Sequence, residues 1–169
     1  FISPENQTTI IDSLNYLEIQ DPNLALRLAF KVLDKYPINT KDRTILKVYN
    51  VIGQIYLKKG LSIQALQYFM EVQRENIRIN NASYWNLINI GNVYYQEKKW
   101  MKAEEYFIRA YEDVIKRIRH DGNEKRNVMA VSLMNRAMIF KDLKEYEKSY
   151  KLMIQALEIR NKPFKGSLD

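Results

Sequence analysis

Cysteine is absent from this chain of 169 residues, which also contains only five glycines and four prolines. Without cysteine the protein has no disulfide framework, no thiolate metal ligand and no cysteine nucleophile. Glycine and proline interrupt regular structure, so long stretches that contain neither predict long helices with few tight turns. No apolar run approaches the roughly 20 residues that a helix needs to cross a bilayer, and we expect no membrane span in this segment.

Histidine is nearly absent as well, with His120 as the one example. It lies in the basic run KRIRH, next to Asp121-Gly122, where the helical pattern is interrupted. Such a position is typical of a solvated side chain. The carboxylates of AEEYF and KEYEKSY occur among lysines at the spacing of helix-surface ion pairs. The chain has neither a glycine-rich phosphate loop nor the histidine and carboxylate spacing of a metal site. We therefore predict no catalytic residue, no cofactor site and no metal site.

Negative charge is in the minority, because 27 lysine and arginine residues outnumber 20 aspartate and glutamate residues and give a net charge of +7. A basic chain can bind nucleic acid when its charges and exposed aromatic rings share one face. Here the charges are spread along helical patterns, and the densest run, residues 116–120, is typical of a solvated helix end. Nucleic acid is therefore not the partner we expect.

A glycine recurs inside segments that otherwise have a helical pattern. Gly91 lies within NIGNVYYQEKKWMKAEEYF, residues 89–107, although a glycine in the middle of a helix costs roughly 1 kcal/mol relative to alanine. The residues around Gly91 recur with the same spacing and size around Gly53 and Ala137, and more faintly around Ser13. These four anchors lie 40, 38 and 46 residues apart, so four units of two helices account for nearly the whole chain.

The pattern of these units resembles the tetratricopeptide repeat, a helix-turn-helix unit of 34 residues. Its signature is a large residue, a leucine-glycine pair, a tyrosine, an alanine, an aromatic residue and a second alanine. The first unit departs from the signature at Asp12 and the fourth at Arg136 and Ala137, as end units often do. The second unit carries Tyr49, Ile52, Gly53, Tyr56, Ala65 and Phe69, and the third carries Leu87, Ile90, Gly91, Tyr94, Ala103 and Phe107.

The resemblance implies an all-α fold in which helix pairs stack into a right-handed α-solenoid. About four units would form a single array, at residues 6–39, 46–79, 84–120 and 130–163.

The resemblance also explains the glycines, because the two helices of a unit cross closely and a small residue lets their backbones approach. We expect Gly53 to face Ala65 and Gly91 to face Ala103 across this contact. The tyrosines at repeat positions are expected to pack in the core, namely Tyr16, Tyr49, Tyr56 and Tyr94.

Local signals predict where the helices begin and end. Asp21-Pro22 is typical of a helix start, with an N-cap followed by proline at the first helical position. Gly60 is expected to end one helix, and Ser62 can cap the next. The spacing of 46 residues between the last two anchors predicts that the second helix of the third unit runs on through Arg119, with a longer loop after it.

The residues that packing does not require indicate where a ligand could bind. In the tetratricopeptide family the first helix of each unit lines the concave side of the array, and at those positions this chain repeats asparagine, a poor helix former. A side-chain amide offers donors and an acceptor at once, so it can pair with a peptide backbone of any sequence. The competing interpretation is that these amides are solvated or bond between helices. Our candidate peptide-binding residues are Asn50, Gln54, Trp85, Asn89, Asn92, Tyr95, Gln96, Asn135 and Met138.

The sequence therefore favours a module that binds a protein or peptide, as an extended segment or a helix in the concave groove. Chaperone tails are not expected, because the family's carboxylate clamp needs lysine and arginine where this chain has Val131 and Asn135. The short units with polar loops resemble bacterial arrays that precede histidine kinases or helix-turn-helix regulators, so we expect part of a larger regulatory or signalling protein. Phe1 in place of methionine indicates a trimmed or processed chain, and we expect a soluble segment, with the cytoplasm favoured.

Two alternatives stay open. One is a structural scaffold that forms homo-oligomers through its end faces, which exposure of the apolar Ile10, Leu14 and Leu17 would favour. The other is a basic surface that binds nucleic acid, which a steep salt dependence would support.

Overall fold

A computed structural model describes residues 4–35, 43–81, 83–119 and 122–161. Within these ranges the chain forms eight α-helices and no β-strand. The helices are α1 (Pro4–Gln20), α2 (Pro22–Lys35), α3 (Arg43–Lys58), α4 (Ser62–Arg78), α5 (Tyr84–Gln96), α6 (Trp100–Arg117), α7 (Asn123–Asp142) and α8 (Tyr146–Asn161).

The helices divide between two compact units, Phe1–Asn81 with α1 to α4 and Ala82–Asp169 with α5 to α8. In each unit, helices that follow one another along the chain pack together as hairpins, α1 with α2, α3 with α4, α5 with α6 and α7 with α8. The short connections suit such hairpins, because two to eight residues are enough to reverse the chain between helices.

Four helix ends share one left-handed turn. Positive φ angles occur at Gly60 (75°), Asn80 (48°), Lys98 (56°) and Lys144 (63°). At each of them the backbone N–H binds the carbonyl three residues back, and the next N–H binds the carbonyl five residues back, as Leu61 does to Tyr56 at 2.9 Å. This arrangement satisfies the last carbonyls of a helix, so Gly60 ends α3 as predicted.

Of the two predicted helix starts, one is confirmed. The Oδ1 atom of Asp21 accepts a hydrogen bond of 2.9 Å from the Leu24 N–H, and Pro22 is the first residue of α2. The cap predicted at Ser62 is wrong, because the turn at Gly60 leaves Leu61 as the N-cap residue and Ser62 is already helical. The Ser62 hydroxyl is buried without a hydrogen-bond partner.

In the first compact unit, α1 packs against both α2 and α3. Leu14 is therefore fully buried, and Ile10 and Leu17 are half-buried against the same core. The exposure of α1 that would favour a scaffold is not found at these residues.

Of the repeat tyrosines, Tyr16 was wrongly predicted to be buried, because 66% of its surface is exposed. Tyr56 stacks on Tyr68 of α4 and Tyr94 stacks on Tyr106 of α6, and Tyr49 lies edge-on to Tyr68. The corresponding position of α2 holds Leu28, so the first repeat unit lacks the aromatic ring on which Tyr16 could stack.

The helical glycines contact phenylalanine rings. A Cβ atom at Gly53 would lie 2.5 Å from the Cε1 atom of Phe69, and a Cβ at Gly91 would lie 2.5 Å from the Cε1 atom of Phe107. The close crossing is therefore as predicted, but the nearest atoms belong to these rings and not to Ala65 and Ala103. Both rings are fully buried, so glycine makes room for an aromatic side chain that has no other place.

The spacing between the last two anchors, Gly91 and Ala137, is the longest of the three, and its extra residues lie in α7. The prediction for Arg119 is wrong, because α6 ends at Arg117. Fourteen residues of α7 precede Ala137, whereas seven residues of α5 precede Gly91, so α7 is lengthened at its start. There Val128 joins the core formed by α5 and α6.

Candidate functional site

Three side-chain hydrogen bonds join α5 to α7 along their length. Tyr84, the first residue of α5, bonds Glu124 near the start of α7. In the middle, the Nδ2 atom of Asn135 donates to the Oδ1 atom of Asn92 over 3.0 Å. Near the C-terminal ends of the two helices, the Tyr95 hydroxyl donates to the Oδ2 atom of Asp142 over 2.6 Å. The N-terminal ends of α5 and α7 are thus bonded to each other, as are their C-terminal ends, so the two helices run parallel.

The tyrosines of this helix pair are held as neutral donors. Burial raises the pKa of Tyr84 to about 12, and the Glu124 carboxylate beside it acts in the same direction. The pKa of Tyr95 is likewise raised to about 12, mainly by burial and to a smaller extent by the hydrogen bond to Asp142. The Tyr95 ring also lies edge-on to Trp100 of α6, with ring centroids 5.4 Å apart, so packing and hydrogen bonding both fix its position.

The exposed side of this pair, which we call the α5/α7 face, carries most of the predicted peptide-binding residues. Trp85 is 42% exposed and Met138 is 41% exposed, whereas Asn89 is half-buried. Spacings of four, three and four residues put the α5 members on one side of that helix. We define the α5/α7 face as Trp85, Asn89, Asn92, Gln96, Asn135 and Met138.

The bond between Asn92 and Asn135 shows that these amides do join helices, which was the competing interpretation of the asparagine pattern. It uses one acceptor of Asn92 and one donor of Asn135, and a side-chain amide has two donors and a two-lone-pair acceptor. The bond therefore fixes the orientation of both amides and leaves each with hydrogen-bonding capacity.

The two remaining candidates, Asn50 and Gln54, lie on α3 in the first compact unit. Both are half-buried, and the Oδ1 atom of Asn50 is buried without a hydrogen-bond partner. The α5/α7 face thus brings together the predicted residues of α5 and α7 except Tyr95, whose hydroxyl is bound to Asp142. Asn50 and Gln54 form a separate pair one helical turn apart.

Sequence reasoning missed the charged residues that hold this region together. Asp142 and Glu124 were not among the candidates, nor was the ion pair of 2.8 Å between Arg136 of α7 and Glu104 of α6. A usable signal did exist at Arg136, which stands where the repeat has leucine, because a half-buried arginine calls for a carboxylate on the neighbouring helix.

In the described ranges of the chain, no group of three or more histidine, aspartate or glutamate side chains is placed to hold a metal ion. The helices of those ranges are too short or too polar to cross a membrane. His120 and Asp121 lie outside the described residues.

Comparison with protein families gives matches to one repeat model. The tetratricopeptide repeat model matches residues 46–76 and 130–163, which fall in the second and fourth of the predicted units. These matches support assignment to the tetratricopeptide repeat family, whose repeats generally mediate protein–protein interaction and are typically non-enzymatic.

Comparison with solved structures supports the same architecture. One similar chain is found in the crystal structure of BtubC (BKLC) from P. vanneervenii, with a TM-score of 0.69 and 14% sequence identity. The match covers 96% of this chain and 74% of that one, and at this identity it shows the fold alone. Together with the helix pairs it confirms the predicted all-α solenoid. No curated protein matches the chain.

Proposed function

We propose that this chain, with its tetratricopeptide repeats, binds an extended segment of a partner protein on the α5/α7 face. The observation that carries the proposal is a set of amide side chains, with an exposed tryptophan and methionine beside them, on two helices joined by three hydrogen bonds.

The chemistry of the face suits a peptide. An extended backbone presents an N–H and a carbonyl at each residue, and the amides of Asn89, Asn92 and Asn135 can pair with both kinds of group. Trp85 and Met138 offer an aromatic ring and a flexible thioether for apolar side chains of the ligand. Recognition would thus combine sequence-independent backbone pairing with a preference for one or two apolar residues.

The same face gives an expected length for the ligand and a reason to expect a low cost of binding. Trp85 and Gln96 are separated by about 16 Å along the helix axis at 1.5 Å per residue, which equals roughly five residues of extended chain. Because hydrogen bonds already fix Asn92, Tyr95 and Asn135, binding requires little further ordering of the protein.

We further propose that this chain is part of a larger bacterial regulatory or signalling protein, in which the array captures a partner. The short units and polar loops resemble arrays of such proteins, and this resemblance is the ground for the proposal.

Selection of peptides from a random display library on the whole chain tests the binding site. We expect Asn89→Ala to weaken a selected peptide about tenfold, the effect of losing one or two hydrogen bonds, and Trp85→Ala to weaken it by tenfold or more. Asn161→Ala, at the exposed end of α8, is the matched control and should bind as the wild type does.

Equal affinity of all three variants and the wild type for every selected peptide would contradict the proposal. Far-ultraviolet circular dichroism of each variant separates a lost contact from a lost fold, because the helical signal should be the same in all four proteins.

A further inference from the structure

The last helix carries an exposed apolar stripe, which we call the α8 stripe. It consists of Tyr146, Tyr150, Met153 and Leu157, which are 63%, 67%, 41% and 54% exposed. Their spacings of four, three and four residues place them on one side of the helix. Four large apolar side chains in one row form a patch that soluble surfaces rarely leave bare.

The equivalent surface of α6 is covered. Alignment of Ala137 with Gly91 matches the α8 stripe to Trp100, Glu104, Phe107 and Tyr111 of α6. There Phe107 is fully buried in a core that includes Ile139 of α7. Tyr111 packs against a second, smaller core, which α7 and α8 form with Ala130, Leu133 and Ala156. Glu104 is bound by Arg136 of α7. The α8 stripe is thus the surface that a neighbouring helix covers in the preceding hairpin.

We propose that the α8 stripe is an interface between two copies of this chain, in which one α8 packs antiparallel against the other. An antiparallel pair puts Tyr150 across from Met153 of the second copy, and Tyr146 across from Leu157. Each contact then joins a ring to a flexible or branched aliphatic chain. A parallel pair would instead stack tyrosine on tyrosine at one end and leave a narrower contact at the other.

The positions beside Met153, in the middle of the stripe, suit such a pair because they carry no charge. Ser149, Ile154 and Ala156 lie beside the stripe, and like charges across a helix seam would oppose pairing. Two charged residues adjoin the stripe: Glu147, which forms an ion pair of 2.8 Å with Lys151 on its own helix, and Arg160, which follows Leu157 by one turn. The four-three-four spacing is also the one by which helices of identical sequence pack side by side.

The size of the stripe sets the expected strength. Four half-exposed large side chains offer on the order of 400 Å² per copy, or roughly 800 Å² for the pair, which is the size of a weak, transient interface. We therefore expect a reversible dimer with a dissociation constant of order 10 μM, and not a permanent one.

Sedimentation equilibrium of the whole chain over about 1 to 200 μM tests the proposal. We expect the average mass of the wild type to rise from near that of a monomer towards that of a dimer over this range, and Tyr150→Glu and Met153→Glu each to remain monomeric throughout. Gln155→Glu adds the same charge on the exposed opposite side of α8 and should dimerise as the wild type does.

The absence of cysteine allows a test of orientation. In an oxidised mixture of Tyr146→Cys and Leu157→Cys chains, antiparallel pairing predicts disulfides that join one variant to the other. Disulfides confined to 146–146 and 157–157 pairs would overturn the antiparallel arrangement.

A wild type that stays monomeric up to 200 μM would overturn the proposal, whether the α8 stripe is then covered by another protein or by nothing. So would a dimer that all three glutamate variants retain. The result is independent of peptide binding, because Met153→Glu lies outside the α5/α7 face and should leave the affinity for a selected peptide unchanged.

Discussion

At the scale of single residues, the glycines in the first helices show how one atom decides the packing of a helix pair. Replacing Gly91 with alanine would place a Cβ atom 2.5 Å from the Cε1 and 2.8 Å from the Cδ1 of Phe107. The ring is fully buried, so it cannot turn away. Overpacking of this kind costs about 1 to 3 kcal/mol, whereas alanine regains about 1 kcal/mol of helix propensity. We expect Gly91→Ala to lower the free energy of unfolding by about 1 kcal/mol, the middle of the range that these two terms leave, in urea titrations.

The matched test combines this change with Phe107→Leu, which removes the ring edge that the new Cβ would meet. The double variant should lose less stability than the sum of the two single variants, because the overlap is relieved. A Gly91→Ala protein as stable as the wild type would show that α5 and α6 can separate without cost, contrary to the packing described here.

The left-handed lysines at two helix ends offer a gain of stability. Lys98 and Lys144 have φ angles of 56° and 63°, a conformation that costs an L-residue about 1 to 2 kcal/mol. Glycine removes this cost but adds about 0.5 to 1 kcal/mol of entropy to the unfolded chain. We therefore expect Lys98→Gly and Lys144→Gly each to raise the unfolding free energy by about 0.5 kcal/mol, measured by the urea midpoint.

The control for these two variants is Gly60→Ala. It has open space around it but a φ of 75°, so strain alone should destabilise the protein, by about 1 kcal/mol. Lower urea midpoints for both lysine variants would mean that their side chains contribute more than the backbone strain costs.

At the scale of helices, the parallel pair α5 and α7 depends on neutral tyrosines. The pKa of Tyr84 and that of Tyr95 are raised to about 12 in the folded protein, against about 10 in an unfolded chain. Their contribution to stability is therefore complete below pH 10 and is lost as the pH rises from 10 towards 12. We expect the stability difference between the wild type and a Tyr84→Phe, Tyr95→Phe variant to shrink over that interval.

Urea unfolding at a series of pH values between 8 and 12, with tyrosinate absorbance recorded in parallel, measures this difference. The variant retains Tyr49 and Tyr68, whose pKa values are also raised by burial, so their effect cancels in the comparison. A stability difference that is the same at pH 8 and pH 12 would rule out a neutral donor role for the two tyrosines of α5.

The helices also show which features a sequence can predict. The glycine and aromatic positions of the hairpins follow from spacing, because each unit must bury the same faces. The location of the extra residues before Ala137 does not follow, since a spacing of 46 residues fits a longer α6, a longer loop or a longer α7 equally well. Nor could the bond between Asn92 and Asn135 be inferred, because an amide suits a ligand and a neighbouring helix alike.

At the scale of the whole molecule, basic side chains of both compact units pair with carboxylates. In the first compact unit the Nζ atom of Lys58 lies 2.7 Å from the Oε1 atom of Glu18. In the second compact unit the Nε atom of Arg117 lies 2.8 Å from the Oδ1 atom of Asp113. Pairs of this type are weak individually, but they lower the local positive potential where a phosphate would bind. The net charge of +7 already counts these carboxylates, so only the excess cations attract a nucleic acid.

The last prediction concerns that charge. We expect a short DNA duplex to bind weakly at 50 mM salt through a few phosphate contacts, and its affinity to fall by roughly tenfold to a hundredfold at 200 mM, because counterion release governs such binding. A peptide selected on the α5/α7 face should keep its affinity within about threefold over the same range, since amides and apolar side chains are little screened. Fluorescence anisotropy of both labelled ligands measures the two slopes side by side. Duplex binding that persists at 200 mM while the peptide is lost would shift the function from peptide capture to nucleic-acid recognition.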